Sequence, residues 1–424
     1  MTSLAEHDRR HVWHPYTQHA TAAAPVPITR AEGAYLYRDD GRPIFDAISS
    51  WWVTLHGHAH PAIAAAIARQ AATLEQVIFA GFTHQPGAEL AAALVRLLPA
   101  GLERVFYSDD GSTAVEVALK LALQYWHNRG EHRPVIAALE HAYHGDTFGA
   151  MAASDRSVFT APFSEHLFRV ERLPDPSVDA EQTLHALDRL LDGNTRRLAA
   201  VIVEPLLLGA GGMRLFDPQV LTAIRARTRA AGVLLIADEV LTGFGRTGPA
   251  FACERASIEP DIVCLSKGLT GGFLPLGATA VREEIFAGFL SPDRRRTFFH
   301  GHSYTANPIA CAAALASLGL LDSSSARARH EIECTHQREM TSLSQHPAVK
   351  NARVIGTIAA FDFQGDGGYL HPVGPELASF ALERGVLLRP LGNVVYFLPP
   401  YCSTADDLVR AYDVVRQFLE RLPA

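Results

Sequence analysis

Lys267 closes an apolar run, DIVCLSKG (261–268), and is followed at once by glycine. That run reads as a buried strand delivering one amine into a tight turn. Upstream, GVLLIADEV (232–240) is a second apolar run, and it ends in Asp238 and Glu239. An amine and a carboxylate set at the ends of two buried strands are what pyridoxal-phosphate chemistry needs. The lysine holds the cofactor covalently, and the acid keeps the pyridine nitrogen protonated so that the ring draws electrons. A lysine after a strand is by itself usually a solvated side chain. Here the weight comes from the Asp238 strand and from ADEVLTGFGRTG (237–248), in which the acid pair runs straight into a glycine-rich loop.

The elements that must position these groups alternate. Apolar runs at 104–108, 135–140, 199–205, 233–238, 262–266 and 277–281 read as strands. STAVEVALKLALQYW (112–126) reads as a helix with Ala114, Val117, Leu121 and Tyr125 on one face. Segments 60–77 and 86–100 read as helices entered through proline. Such alternation predicts an α/β fold with a largely parallel sheet covered by helices on both faces. Past about residue 310 the pattern changes to a smaller α+β region, and AYLYRDDGRPIFDA (34–47) reads as a hairpin turning at DDG. The expected division is an N-terminal segment 1–50, a large domain 51–309 and a C-terminal domain 310–424.

Ligands of such sheets bind beyond the carboxyl ends of the strands. Ser108–Ser112, Tyr143, Glu204, Asp238 and Lys267 all fall just after predicted strands. SDDGSTAVE (108–116) opens a helix through Gly111, Ser112 and Thr113, suited to a phosphate or simply to capping. HAYHGDTFGAM (141–151) offers Tyr143 and His144 as rings near a cofactor, and Glu204 could help to hold ring substituents. SSWWVTLHGHAHP (49–61) joins Trp51 and Trp52 to His56, His58 and His60, but carboxylate partners for a metal are missing, so none is expected. FFHGHSYTANP (298–308) could close over a phosphate.

Composition narrows the classes. The 424 residues are 48% hydrophobic and 20% charged, as in an ordinary folded protein, and the net charge of −7 argues against nucleic-acid or anionic-membrane partners. No apolar stretch approaches the roughly 20 residues of a membrane span. MTSLAEHDRRHVWHPY lacks an apolar signal core, and five cysteines without CxxC spacing fit reduced thiols, so a cytoplasmic location is expected.

Together, DEVLTGFGRTG, LSKGLTGG and HGHSYTANP resemble the class III, fold-type-I pyridoxal-phosphate aminotransferases over nearly the whole chain. HVWHPYTQ (11–18), SSWWVTLHGHAHP, SDDGSTAVEVALKLALQYW and LLRPLGNVVYFLPPY (387–401) are similar to the branch serving biotin biosynthesis. In that branch 8-amino-7-oxononanoate is the acceptor and S-adenosyl-L-methionine the amino donor. The resemblance implies that Lys267 binds the cofactor covalently, that Asp238 pairs with the ring nitrogen, and that Gly111 and Ser112 bind its phosphate. It also implies that Tyr143 stacks on the ring, that Tyr16, Trp51 and Trp52 line the substrate pocket, and that Arg389 holds the substrate's terminal carboxylate. Gly301 would border the substrate, with His302 and Ser303 reaching the phosphate of the neighbouring subunit of a homodimer. An aromatic tunnel with one guanidinium is also what a long apolar keto acid needs. His302-Ser303 stands where adenosylmethionine-using members carry Pro-Thr, which keeps lysine or another amine open as donor.

Overall fold

The computed structural model describes residues 4–194, 196–365 and 368–422; the outer ends of the two terminal pieces, 1–3 and 423–424, lie outside them. Among the described residues the central sheet has seven strands, here β1–β7 in chain order. They are Leu102–Ser108, Val135–Leu139, Glu171–Leu173, Leu198–Val203, Leu234–Asp238, Ile262–Leu265 and Gly277–Arg282. Their order in space is β1-β7-β6-β5-β4-β2-β3. Every neighbouring pair is parallel except the two made by β7, which runs antiparallel to both β6 and β1.

The largely parallel sheet expected from the alternation is present, and its one reversed strand has a simple cause. A parallel crossover takes a dozen or more residues. Only residues 266–276 join β6 to β7, and they are occupied by the turn that carries Lys267. The chain therefore doubles back. The sequence reading also passed over β3, whose three residues Glu-Arg-Leu bury only Leu173 and show no apolar run.

Strand β4 is buried at all six positions, as a strand covered on both faces must be. The helix Gly111–Asn128 supplies part of that cover, packing on β4, β6 and β7. Its predicted face, Ala114, Val117, Leu121 and Tyr125, is buried. A capping box starts it: the Asp110 carboxylate accepts the Thr113 N–H at 2.8 Å, and the Thr113 hydroxyl accepts the Asp110 N–H at 3.0 Å.

The two chain ends meet. Ile28–Glu32, Tyr35–Arg38 and Pro43–Asp46 form an antiparallel ribbon, and Val386–Leu387 adds parallel to Pro43–Asp46. A second sheet, Val349–Ile355, Ile358–Phe363 and Val394–Phe397, is antiparallel throughout and is flanked by the helix Ser323–Leu343. The small-residue helix Pro308–Gly319 packs on Pro61–Ala71, Gln85–Leu97 and the Lys267 turn. Among the described residues no single helix is long and apolar enough to cross a membrane.

Candidate active site

Because β1, β2, β4, β5 and β6 run the same way, their carboxyl ends share one edge. A cavity of about 760 Å³ opens there. Gly111 and Ser112 after β1, Tyr143 after β2, Glu204 after β4, Asp238 at the end of β5 and Lys267 after β6 all line it, joined by Tyr16, Trp51, Trp52 and Arg389. Strand β7 points the other way, so it contributes the residues that precede it, Gly272–Leu276.

Lys267 is half-buried in the cavity wall, and desolvation pushes its ammonium pKa down while the Asp238 and Glu204 charges oppose that shift. Its Nζ lies 4.7 Å from the centre of the Trp52 ring. The residue sits at φ 40°, a left-handed conformation that costs a non-glycine residue roughly 1–3 kcal/mol. The helix Pro308–Gly319 packs on that turn, and Leu55 lies so close to it that a Cβ at Gly268 would come within 2.8 Å of its side chain.

The acid pair splits by strand alternation. Asp238 faces the cavity, its Oδ1 accepting the Val240 N–H at 3.1 Å and its Oδ2 lying 2.7 Å from His144 Nδ1. Glu239 points away and accepts the backbone N–H groups of Ala252 and Cys253 and the Thr242 hydroxyl, which fixes the glycine-rich loop. Glu204 is buried, and burial raises its carboxyl pKa to about 7. Its two oxygens accept the N–H groups of Tyr143 at 2.9 Å and Gly209 at 3.0 Å, so it anchors the loop that carries the Tyr143 ring.

At Gly111 a Cβ would lie 2.5 Å from Val240 Cγ1, so only glycine lets the helix start this close to the cavity wall. Ser112 Oγ is 2.8 Å from Thr147 Oγ1 and accepts the Thr147 N–H at 3.0 Å. Glu116, one turn further along, accepts from Thr147 Oγ1, Gly149 N and Ala150 N, tying the 145–150 loop to the helix. These residues suit pyridoxal phosphate: a buried amine for the aldehyde, a buttressed carboxylate for the ring nitrogen and a helix N-terminus for the phosphate.

The far wall is aromatic. The Arg389 guanidinium lies 4.0 Å from the centre of the Trp51 ring and 5.9 Å from that of Tyr16, with no ion-pair partner among the described residues. Tyr16 meets Trp51 and Phe159 edge-on at 5.5 and 5.6 Å, and Phe159 meets Tyr369 at 4.6 Å. The Tyr16 hydroxyl is 3.2 Å from that of Tyr143 and donates to Asp146. Burial, then the Asp146 hydrogen bond, pushes the Tyr16 phenol up to about 12, so it stays a donor.

His144 as the partner of Asp238, and Asp146, Phe159 and Tyr369 as lining residues, were not assigned from sequence. Asp146 was findable, since it follows Tyr143 within one block after β2. Phe159 and Tyr369 carry no local signal. Gly301, His302 and Ser303 are exposed and lie outside the lining of this cavity. His302 Nδ1 is 3.4 Å from Asp109, and the Ser303 carbonyl accepts the Gln76 amide at 2.6 Å. The three histidines of the tryptophan block make separate contacts: His56 with Ser317 at 3.1 Å, His58 with Asp46 at 2.8 Å, and His60 edge-on to His56.

Residues 16–419 match the family Aminotransferase class-III. The chain belongs to that family. The adenosylmethionine-8-amino-7-oxononanoate aminotransferase of Synechococcus elongatus is 53% identical over 422 residues, covering 97% of this chain and 99% of its own. The enzyme of that name from Mycobacterium leprae is 40% identical, covering 94% and 93%. In three dimensions the chain is similar to the adenosylmethionine-8-amino-7-oxononanoate aminotransferase of Methanocaldococcus jannaschii, with a TM-score of 0.93 at 32% identity and 98% of each chain covered. A transaminase from the marine bacterium Virgibacillus superposes with a TM-score of 0.92 at 26% identity, over the whole of both chains. The class-III aminotransferase fold expected from the motifs is thus the fold of this protein.

Proposed function

We propose that the protein transfers the amino group of S-adenosyl-L-methionine to 8-amino-7-oxononanoate, forming the 7,8-diaminononanoate of biotin biosynthesis, with pyridoxal phosphate as cofactor. The near full-length 53% identity to the Synechococcus enzyme supports the substrates. The observation that carries the reading at the site is Arg389, a cation with no ion-pair partner among the described residues, laid on Trp51 at the aromatic wall of the cavity that holds Lys267. A long keto acid with one terminal carboxylate fits that arrangement: the guanidinium takes the carboxylate and the aromatic wall covers the chain.

When bound, pyridoxal phosphate carries the amino group between substrates and takes up the electron pair freed when a Cα–H bond breaks. The protein's residues do the rest. Lys267 Nζ, its proton affinity lowered by burial, is suited to remove and return that proton. Asp238, backed by His144, holds negative charge where a ring N–H would lie. Gly111 and Ser112 would present the helix N-terminus to the phosphate, and Tyr143, whose backbone is fixed through Glu204, would cover the ring face. Trp51, Trp52 and Tyr16 line the cavity and would cover the apolar chain of the substrate.

Arg389→Ala should raise KM for the keto acid roughly 10–100-fold, the loss of a charged hydrogen-bonded pair, while the donor half-reaction changes far less. Equal losses in both half-reactions, measured separately by stopped-flow absorbance, would refute this role. For the donor, mixing the enzyme with S-adenosyl-L-methionine alone should bleach the cofactor absorbance. Bleaching by lysine and not by S-adenosyl-L-methionine would overturn the donor and leave the acceptor standing. The reading includes a homodimer in which Gly301 borders the substrate and His302 and Ser303 reach the phosphate of the neighbouring copy, supported by the exposure of all three outside their own cavity.

A further inference from the structure

The segment that presents Trp51 and Trp52 is bent in a way the chain does not favour. Ser49 has φ 53°, Ser50 φ 59° with ψ −86°, and Trp52 φ 70°. None of these is glycine, so the turn persists only because its surroundings over-determine it. The Ser49 hydroxyl donates to the Leu398 carbonyl at 2.8 Å, and the largest share of the hydrogen bonds comes from Asp46. Its side chain is fully buried, with Oδ1 accepting the Ile48 N–H at 3.2 Å and Oδ2 accepting the Ser50 N–H at 2.6 Å. His58 Nε2 closes on the same Oδ2 at 2.8 Å, and the His58 backbone exchanges two hydrogen bonds with Gly33. A buried carboxylate is thus satisfied entirely by the turn and one imidazole.

Asp46 also ends the strand Pro43–Asp46, where it lies opposite Leu387 in the parallel pairing with Val386–Leu387. Two residues beyond Leu387 comes Arg389. The tryptophan turn and the arginine therefore leave adjacent strands at the same level, and their side chains meet at 4.0 Å. Trp52, on the other side of the turn, reaches Lys267.

We propose that Asp46, buttressed by His58, is a positioning residue for substrate recognition: it locks the strained turn that lays Trp51 against Arg389 and Trp52 against Lys267. This rests on the reading of Arg389 as the carboxylate site. Asparagine cannot replace Asp46 without loss, because its NH₂ group must face either the Ile48 N–H or the donors gathered at Oδ2.

The test uses the cofactor-loaded enzyme and nonanoate, an unreactive apolar chain with one carboxylate. Asp46→Asn should keep its melting temperature near that of the parent, alter the tryptophan near-ultraviolet dichroism and weaken nonanoate binding roughly ten-fold by calorimetry. His58→Gln, which keeps an N–H for Asp46, should bind nonanoate like the parent, whereas His58→Leu should weaken it as Asp46→Asn does. Parent-like affinity and dichroism in Asp46→Asn overturn the proposal. Should that variant fail to fold, equal affinities in the two His58 variants overturn it instead. If nonanoate does not bind the parent, the acceptor reading fails, and unchanged tryptophan dichroism in the variants then decides against the positioning role.

Discussion

Lys267→Ala should abolish turnover, with a loss on the order of 10⁴-fold or more, because the proposed mechanism uses one amine both as the covalent anchor and as the proton carrier. The site has no substitute within reach. Lys120, the other lysine with a described contact, is turned outward to His300 and the Phe298 ring. The substitution should barely disturb the fold, since the turn is packed by Leu55 and the helix Pro308–Gly319. Borohydride treatment of the parent enzyme followed by peptide mapping should place the label on Lys267. A label on Lys120 or Lys350, or substantial activity in Lys267→Ala, would remove Lys267 from the reaction.

Asp238→Asn should leave the shape of the site intact and lower the rate by about three orders of magnitude, near 4 kcal/mol. The amide keeps a partner for the Val240 N–H or for His144, so cofactor binding should survive. On the proposed reading, a protonated ring nitrogen would lose its charge partner, and with it the pull on electrons freed at the substrate Cα. Single-turnover absorbance, with melting temperature as a control, measures this. A near-normal rate would mean that the carboxylate has no such electrostatic role here.

Much of this site is legible along the chain because its logic is local. An apolar run ending in an acid, or in Lys-Gly, reads as a buried strand without knowledge of the rest. Strand-helix alternation makes the strands parallel, and parallel strands put their last residues on one edge. Asp238, Lys267, Tyr143, Glu204 and Gly111 could therefore be grouped before any coordinates existed. Strand β3 could not, since three residues with one buried leucine carry no periodicity. The reversal of β7 follows from the short link that holds Lys267 and was not read from that link's length.

Other relations are decided by contacts between distant segments. Sequence alone offers Arg389 and Trp51 as types of side chain. Only the pairing of Pro43–Asp46 with Val386–Leu387 sets one over the other. Alternation along a strand predicts that Asp238 and Glu239 point apart, yet it takes the packed sheet to show which faces the cavity and to bring His144 against it. Phe159 and Tyr369 come together from two loops far apart in the chain. Strand ends and periodicity are written in neighbouring residues, so the sequence by itself shows which chemical groups gather at one edge of the sheet. Which wall each side chain occupies depends on pairings hundreds of residues apart, and those exist only once the chain has folded.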